Sequence, residues 1–172
     1  MALLSIILLP DPVLRLTAAK IERVDDDLRK LADSMLETMY DAPGVGLAAP
    51  QVNVSRRMAV IDVSDKDDGE ERSPLILINP EIVATGSGTD AFEEGCLSIP
   101  DVRVEIERPS SVTVKFLDRD GKPQTLVADG FLATAIQHEI DHLDGKLIID
   151  HLSRLKRDMV VRRFRKLARG EV

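Results

Sequence analysis

The stretch QHEIDHLDGKLI, residues 137 to 148, limits how this chain can fold more than any other. Its H-E-x-x-H core is useful only on a helix, where His138 and His142, four positions apart, share a face and can offer two ring nitrogens to one ion. Glu139 is one position round from His138 and can reach a water on that ion without being a ligand. The segment FLATAIQHEIDHL reads as that helix, starting near Asp129 or Gly130. Gly145 follows where a C-terminal glycine cap is expected.

Two histidines do not complete a metal site. An extended metalloprotease pattern would place a third at position 148, which is Ile148 here. The chain's other histidine, His151, lies three residues further on, past the Gly145 cap. The second candidate is Cys96, in EEGCLSIPDV: a thiolate is a good ligand for zinc or iron, and mixed Cys/His sets hold catalytic zinc. Cys96 follows Gly95 and precedes an extended run, with Glu93 and Glu94 just upstream. As the single cysteine it excludes an internal disulfide and fits a reducing, cytoplasmic compartment. Without metal it would be a small buried hydrophobe.

The remainder reads as one domain, 1–172, of α+β class: antiparallel β-sheets packed around the central metal-binding helix, with a C-terminal helix. A helix opens at Asp25, with Leu28, Leu31, Ala32, Met35, Leu36 and Met39 at helical spacing, and stops at Pro43-Gly44. MAVIDV (58–63), LILINPEIV (75–83), VRVEIE (102–107) and SVTVKFL (111–117) are strand-like, and Asp120-Gly121 marks a hairpin before QTLVA. The apolar MALLSIILLPDPVLR reads as a buried N-terminal strand, because it lacks the basic start and cleavage site of a signal peptide. No stretch reaches membrane-spanning length. Aromatic residues are only 3% of the chain, which argues against a stacking platform for single-stranded nucleic acid. APGVGLAAPQ (42–51) is a Gly/Ala/Pro loop without a phosphate-binding pattern; Gly44 and Gly46 would let the backbone approach a ligand closely, with the Gln51 amide at its end.

Together, GVGLAAPQ, EGCLSIP and QHEIDH resemble the three motifs of the peptide deformylase family, in the family's order, and ILLPDPVLR resembles its opening. The length resembles the bacterial form. The resemblance implies Cys96, His138 and His142 as metal ligands, with water in the fourth position and Fe²⁺ as the usual ion, zinc or another divalent metal being able to substitute. It implies removal of the formyl group from N-formylmethionine of nascent peptides. The metal would activate its water for attack on the formyl carbon, with Glu139 as general base and then acid. The Leu97 backbone N–H and the Gln51 side chain would stabilise the charged oxygen. Val45, Gly46 and Gly95 would meet an extended peptide, chiefly through its backbone. Phe131, Thr134 and Ala135, on the His138 face of the helix, would line the methionine pocket with Val45, although core packing explains Phe131 and Ala135 equally well.

Two smaller readings concern charge. Glu94 could pair with Arg103 or Arg108, as a surface ion pair or near the site, and Asp141 could be exposed or support a metal histidine. Residues 154–169 carry eight Lys or Arg against one Asp, a net +7 on a chain whose total is −7, so the body is strongly acidic. This last helix, about 153–169, has an apolar stripe of Leu155, Met159, Val160, Phe164 and Leu167. It reads either as a docked helix with a solvated basic face or, through the resemblance to bacterial members, as a surface for ribosomal RNA. Neither membrane nor DNA is expected as a partner.

Overall fold

The H-E-x-x-H segment is helical, and α2 (Gly130–Leu143) lies between two antiparallel sheets in a computed structural model that describes residues 2–65 and 67–170. The first sheet runs in the order β1 (Gly46–Ala48), β2 (Met58–Ile61), β3 (Leu75–Thr85), β6 (Ser111–Leu117), β7 (Pro123–Asp129). The second is a hairpin of β4 (Thr89–Cys96) and β5 (Ile99–Pro109). With α1 (Asp26–Asp41) and α3 (Arg154–Ala168), this is the α+β architecture expected.

Local chemistry explains each element that holds the site. The Asp25 side chain caps α1 by accepting from the Leu28 N–H at 2.9 Å, and Asp26 and Asp27 suit the positive end of the helix. Leu28, Ala32, Met35 and Met39 form its buried stripe, against Leu47, Met58 and Val60. All four residues of β2 are buried, because α1 and α2 both pack against it; hence MAVI is an unbroken apolar run. On β6 the side chains alternate, and Val112, Val114 and Phe116 pack with Ala133 and Ile136 of α2. α2 ends as its glycine requires: Gly145 has φ +76°, and a Cβ there would lie 2.5 Å from the Arg15 carbonyl oxygen.

Three local expectations are corrected. The segment 46–48, read as loop, is a short strand at the end of the first sheet, paired only to β2 among the described strands. The N-terminal segment joins neither sheet: Leu3 and Leu8 are exposed, and the backbone is tied instead by Ile7 N–H to Gln51 O (2.7 Å) and Leu9 N–H to Ser98 O (2.9 Å). On α3 the packed side is Val160, Val161 and Phe164, while Leu155, Met159 and Leu167 face outward. An apolar residue recurs at helical spacing on more than one line of this helix, so spacing alone does not decide which line docks.

Candidate metal centre and cleft

One turn of α2 sets His138 and His142 side by side, with ring centroids 4.9 Å apart. Cys96 comes to them from the second sheet. The β4–β5 register shifts between Glu94 and Cys96, and Cys96 pairs with Ile99 across a two-residue turn of Leu97 and Ser98. That turn presents the thiol toward α2. Cys96 Sγ is 3.3 Å from His142 Nε2, which is 3.2 Å from His138 Nε2. The ligand atoms of all three residues lie within 4.8 Å of one another. His151 is outside this group, half-exposed and 3.9 Å from Asp141.

The donor set fits a metal ion. Glu94 is held ionised and accepts from His138 Nδ1 at 3.0 Å, which turns the ring so that Nε2 is the nitrogen facing Cys96 and His142. Burial alone would lower His138, but the charge on Glu139 and hydrogen bonds with Cys96 and Glu94 hold it well above the usual range. Burial, then the neighbouring His138 charge, pushes His142 well below. Cys96, His138 and His142 together offer one sulfur and two ring nitrogens, soft and borderline donors that suit a divalent transition-metal ion.

Glu94 is anchored in turn. Arg108 grips it with Nε–Oε2 at 2.8 Å and Nη2–Oε1 at 3.0 Å, and its third nitrogen bonds Asp141 at 2.9 Å. Of the two arginines considered, Arg108 is the partner, and the pair is buried rather than superficial; Arg103 lies instead over Gly95. Burial opposes the Glu94 charge, yet His138 and Arg108 hold its carboxyl below the ordinary value. Asp141 thus acts at one remove, through Arg108.

Glu139 is buried beside the donors, with Oε2 3.9 Å from His138 Nε2. Its Oε1 has no hydrogen-bond partner among the described residues. Burial pushes this carboxyl up to about 7, while the His138 charge pulls the other way. Gly46 passes directly over it: a Cβ there would overlap the carboxylate, with Cδ at 2.9 Å. A Cβ on Gly44 would likewise meet Leu97 Cδ1 at 2.8 Å. The close approach expected of these glycines is therefore to the protein's own side chains.

A cleft of about 500 Å³ opens over these groups. Of the site residues implied by the sequence resemblance, all but His142 line it: Val45, Gly46, Gln51, Gly95, Cys96, Leu97, Phe131, Thr134, Ala135, His138 and Glu139. Phe131 is half-exposed and packs edge-on against Phe92 at 5.6 Å, so it is not ordinary core. The sequence left the Arg108 grip open against Arg103 and gave no sign of Ser98. Ser98 is fully buried and takes a 3.1 Å hydrogen bond from Gln51 Nε2. Parity along β5 carried a signal for that choice: Val104 and Ile106 face inward, so Arg108 does also and Arg103 does not.

Comparison with known proteins agrees with this geometry. A family model described as Polypeptide deformylase matches residues 3–158. A peptide deformylase of Agrobacterium fabrum is 58% identical over the full length of both chains. The crystal structure of a peptide deformylase from Legionella pneumophila superposes with a TM-score of 0.87 at 48% identity, covering 98% of this chain and 96% of that one. That of the Ehrlichia chaffeensis protein, in complex with actinonin, gives 0.90 at 41% identity, covering 96% and 98%.

Proposed function

The chain belongs to the polypeptide deformylase family, hydrolases that remove the N-formyl group from nascent peptides, and on that premise we propose which of its residues carry the reaction. The observation that carries the assignment is the convergence of Cys96, His138 and His142 beside the buried Glu139, whose Oε1 is left without a protein partner among the described residues. Cys96, His138 and His142 hold the metal. Fe²⁺ is the ion proposed, and Zn²⁺ or another divalent ion suits the same donors. When bound, such an ion supplies a Lewis acid that polarises oxygen and lowers the pKa of water.

Glu139 takes the proton from the water that attacks the formyl carbon and returns it to the departing amine. A carboxyl near 7 suits both halves of that task. The negative charge that builds on the formyl oxygen is met by the Gln51 side-chain amide and the Leu97 N–H at the tip of the β4–β5 turn. The peptide lies along the open edge of β1. Asp62 N–H donates to Val45 O at 2.8 Å, and Ala48 N–H turns the other way to Gln51 Oε1 at 2.9 Å. By the alternation of strand hydrogen bonds, Gly46 shares the Ala48 direction, so its N–H and C=O serve an added strand. Gly95 borders the other side. Val45, Phe131, Thr134 and Ala135 form the apolar pocket for the methionine side chain.

The whole chain serves as one catalytic unit, and α3 adds a docking surface for ribosomal RNA. In support, Leu155, Met159 and Leu167 are exposed among eight cationic side chains of residues 154–169. No described helix is long and apolar enough to cross a membrane. We read the cytoplasm, where chains emerge, as the compartment. The test is formate release from a formyl-Met tripeptide by protein reconstituted anaerobically with Fe²⁺, beside Glu139→Ala. Rapid release that is lost in the variant, with the Met–X bond intact, is the expected result. No formate from folded, metal-loaded protein would overturn the assignment.

A further inference from the structure

We propose that Ser98 is the positioning residue that aims the Gln51 amide at the reacting oxygen, an inference that rests on Gln51 being a donor in the reaction proposed above. The orientation of a glutamine amide is ambiguous unless a neighbour of fixed polarity decides it. Here one does. The Ala48 backbone N–H can only donate, and it lies 2.9 Å from one end of the Gln51 amide, which must therefore be Oε1. The other end, Nε2, then points toward the site with two N–H bonds. One meets Ser98 Oγ at 3.1 Å. The other donates toward Cys96 Sγ at 3.6 Å, a long bond to a soft acceptor among the residues that line the cleft.

Ser98 thus occupies one donor and, through the rigid geometry of the amide, sets the direction of the second. Both partners are buried: Ser98 is 0% and Gln51 2% exposed. No solvent molecule can replace the hydroxyl without a place being made for it. The main chains carrying the two side chains are held as well. The N-terminal segment spans them, with Ile7 N–H bonded to Gln51 O at 2.7 Å and Leu9 N–H to Ser98 O at 2.9 Å. With both backbones pinned, the amide is held at its two ends, Oε1 by the Ala48 N–H and Nε2 by the Ser98 hydroxyl, and the hydroxyl is the side-chain group that fixes the Nε2 end. A donor held in place before charge develops costs no reorganisation when it is used, which is why such placement affects turnover more than binding.

The experiment is a double-mutant cycle of Ser98→Ala and Gln51→Ala, with Ser98→Thr as the conservative variant. Formate release is measured with the same metal throughout, beside melting temperature and ¹H–¹⁵N spectra of the side-chain amides. Gln51→Ala should slow turnover by roughly 10²–10³-fold. Ser98→Ala should slow it about fivefold to tenfold, the scale of one hydrogen bond, with KM within about twofold. In the Gln51→Ala background it should do nothing further, because a positioning residue has nothing left to position. Ser98→Thr should recover most of the loss. The Gln51 amide signals, identified by their absence in Gln51→Ala, should move in Ser98→Ala and stay in Ser98→Thr.

An unchanged kcat in Ser98→Ala, an equal fold-loss in both backgrounds, or unmoved Gln51 signals would each overturn the proposal. So would an undiminished kcat in Gln51→Ala. If the wild-type protein releases no formate, the reaction assignment is what fails, and the amide spectra still decide whether Ser98 fixes Gln51. The wild-type spectrum is a test in itself: one of the two Gln51 amide protons should show the low temperature coefficient of a hydrogen-bonded group, and two exposed-type protons would contradict the clamp.

Discussion

Gly46 and Glu139 are in such close contact that no side chain larger than hydrogen fits between the edge of β1 and the carboxylate; a Cβ on Gly46 would lie 2.9 Å from Glu139 Cδ. Gly46→Ala should therefore push Glu139 off its position beside His138. Turnover should slow by roughly a hundredfold, the scale on which an ångström of misplacement acts, with a much smaller effect on metal content. Steady-state kinetics and metal analysis on the same preparation check it. A variant with undiminished turnover would show that Glu139 need not sit under the strand.

Arg108 and Glu94 form a buried pair, 7% and 4% exposed at their side chains. Removing one partner strands the other charge away from water, so Arg108→Ala should destabilise the fold by about 3–5 kcal/mol in a denaturant titration. Arg108→Lys keeps the charge but loses the fork that serves Glu94 and Asp141 together, and should recover only part of that. A loss below about 1 kcal/mol for Arg108→Ala would contradict the anchor.

Glu94→Ala should weaken metal affinity by about 10–100-fold, since it removes the group that orients His138. Cys96→Ser should cost more than this, because it replaces a thiolate ligand by a neutral hydroxyl. Competition against a chromogenic chelator would measure both. Equal affinity of Cys96→Ser and wild type would exclude the thiolate as a ligand and bring His151 back into consideration.

Tyr40 and Asp62 give the fold a dependence on pH away from the metal centre. The Tyr40 hydroxyl donates to Asp62 Oδ2 at 2.6 Å, and the Ser73 N–H reaches the same oxygen at 3.0 Å. Burial opposes the Asp62 charge, yet hydrogen bonds from Ser64, Tyr40 and Ser73 hold its carboxyl below the usual value. This contribution is present above the unfolded carboxyl value, about 3.9, and is lost as pH falls below it. Burial, then the Asp62 bond and charge, push the Tyr40 phenol up to about 12. That contribution is complete below the unfolded value, about 10, and is lost as pH rises from there through about 12. Tyr40→Phe should thus be less stable than wild type by about 1.5–3 kcal/mol between roughly pH 5 and 9, with the gap closing at both extremes. A gap that stays constant from about pH 3 to 12 would rule out the coupling.

On α3, Arg162→Glu together with Arg163→Glu should abolish salt-sensitive binding to ribosomes while formate release from a free tripeptide stays at the wild-type level. Binding measured from low to physiological salt should be steep for the wild type, because contacts to phosphate release counterions. Undiminished ribosome binding by the double variant would remove α3 as the docking surface.

What the sequence determined by itself was the chemistry carried within short stretches. H-E-x-x-H on a helix presents its two histidines because helical period is a local property, and the Gly145 cap and the start of the first helix near Asp25 are legible for the same reason. The three motifs, in their order, resembled those of the family and made Cys96 the expected third ligand, which spacing alone left open against His151. Tertiary structure alone decided how distant segments close on one another. Arg108, Glu94 and Asp141 come from β5, β4 and α2, and the Ser98–Gln51 clamp joins a hairpin turn to the residues after β1. Which arginine is buried depended on the face of β5, and which stripe of α3 docks depended on what stands opposite it. The physical reason is common to all of these: hydrogen-bonded period is set by the backbone a few residues at a time, whereas the cost of burying a charge or a hydroxyl is set by neighbours that only the folded chain supplies.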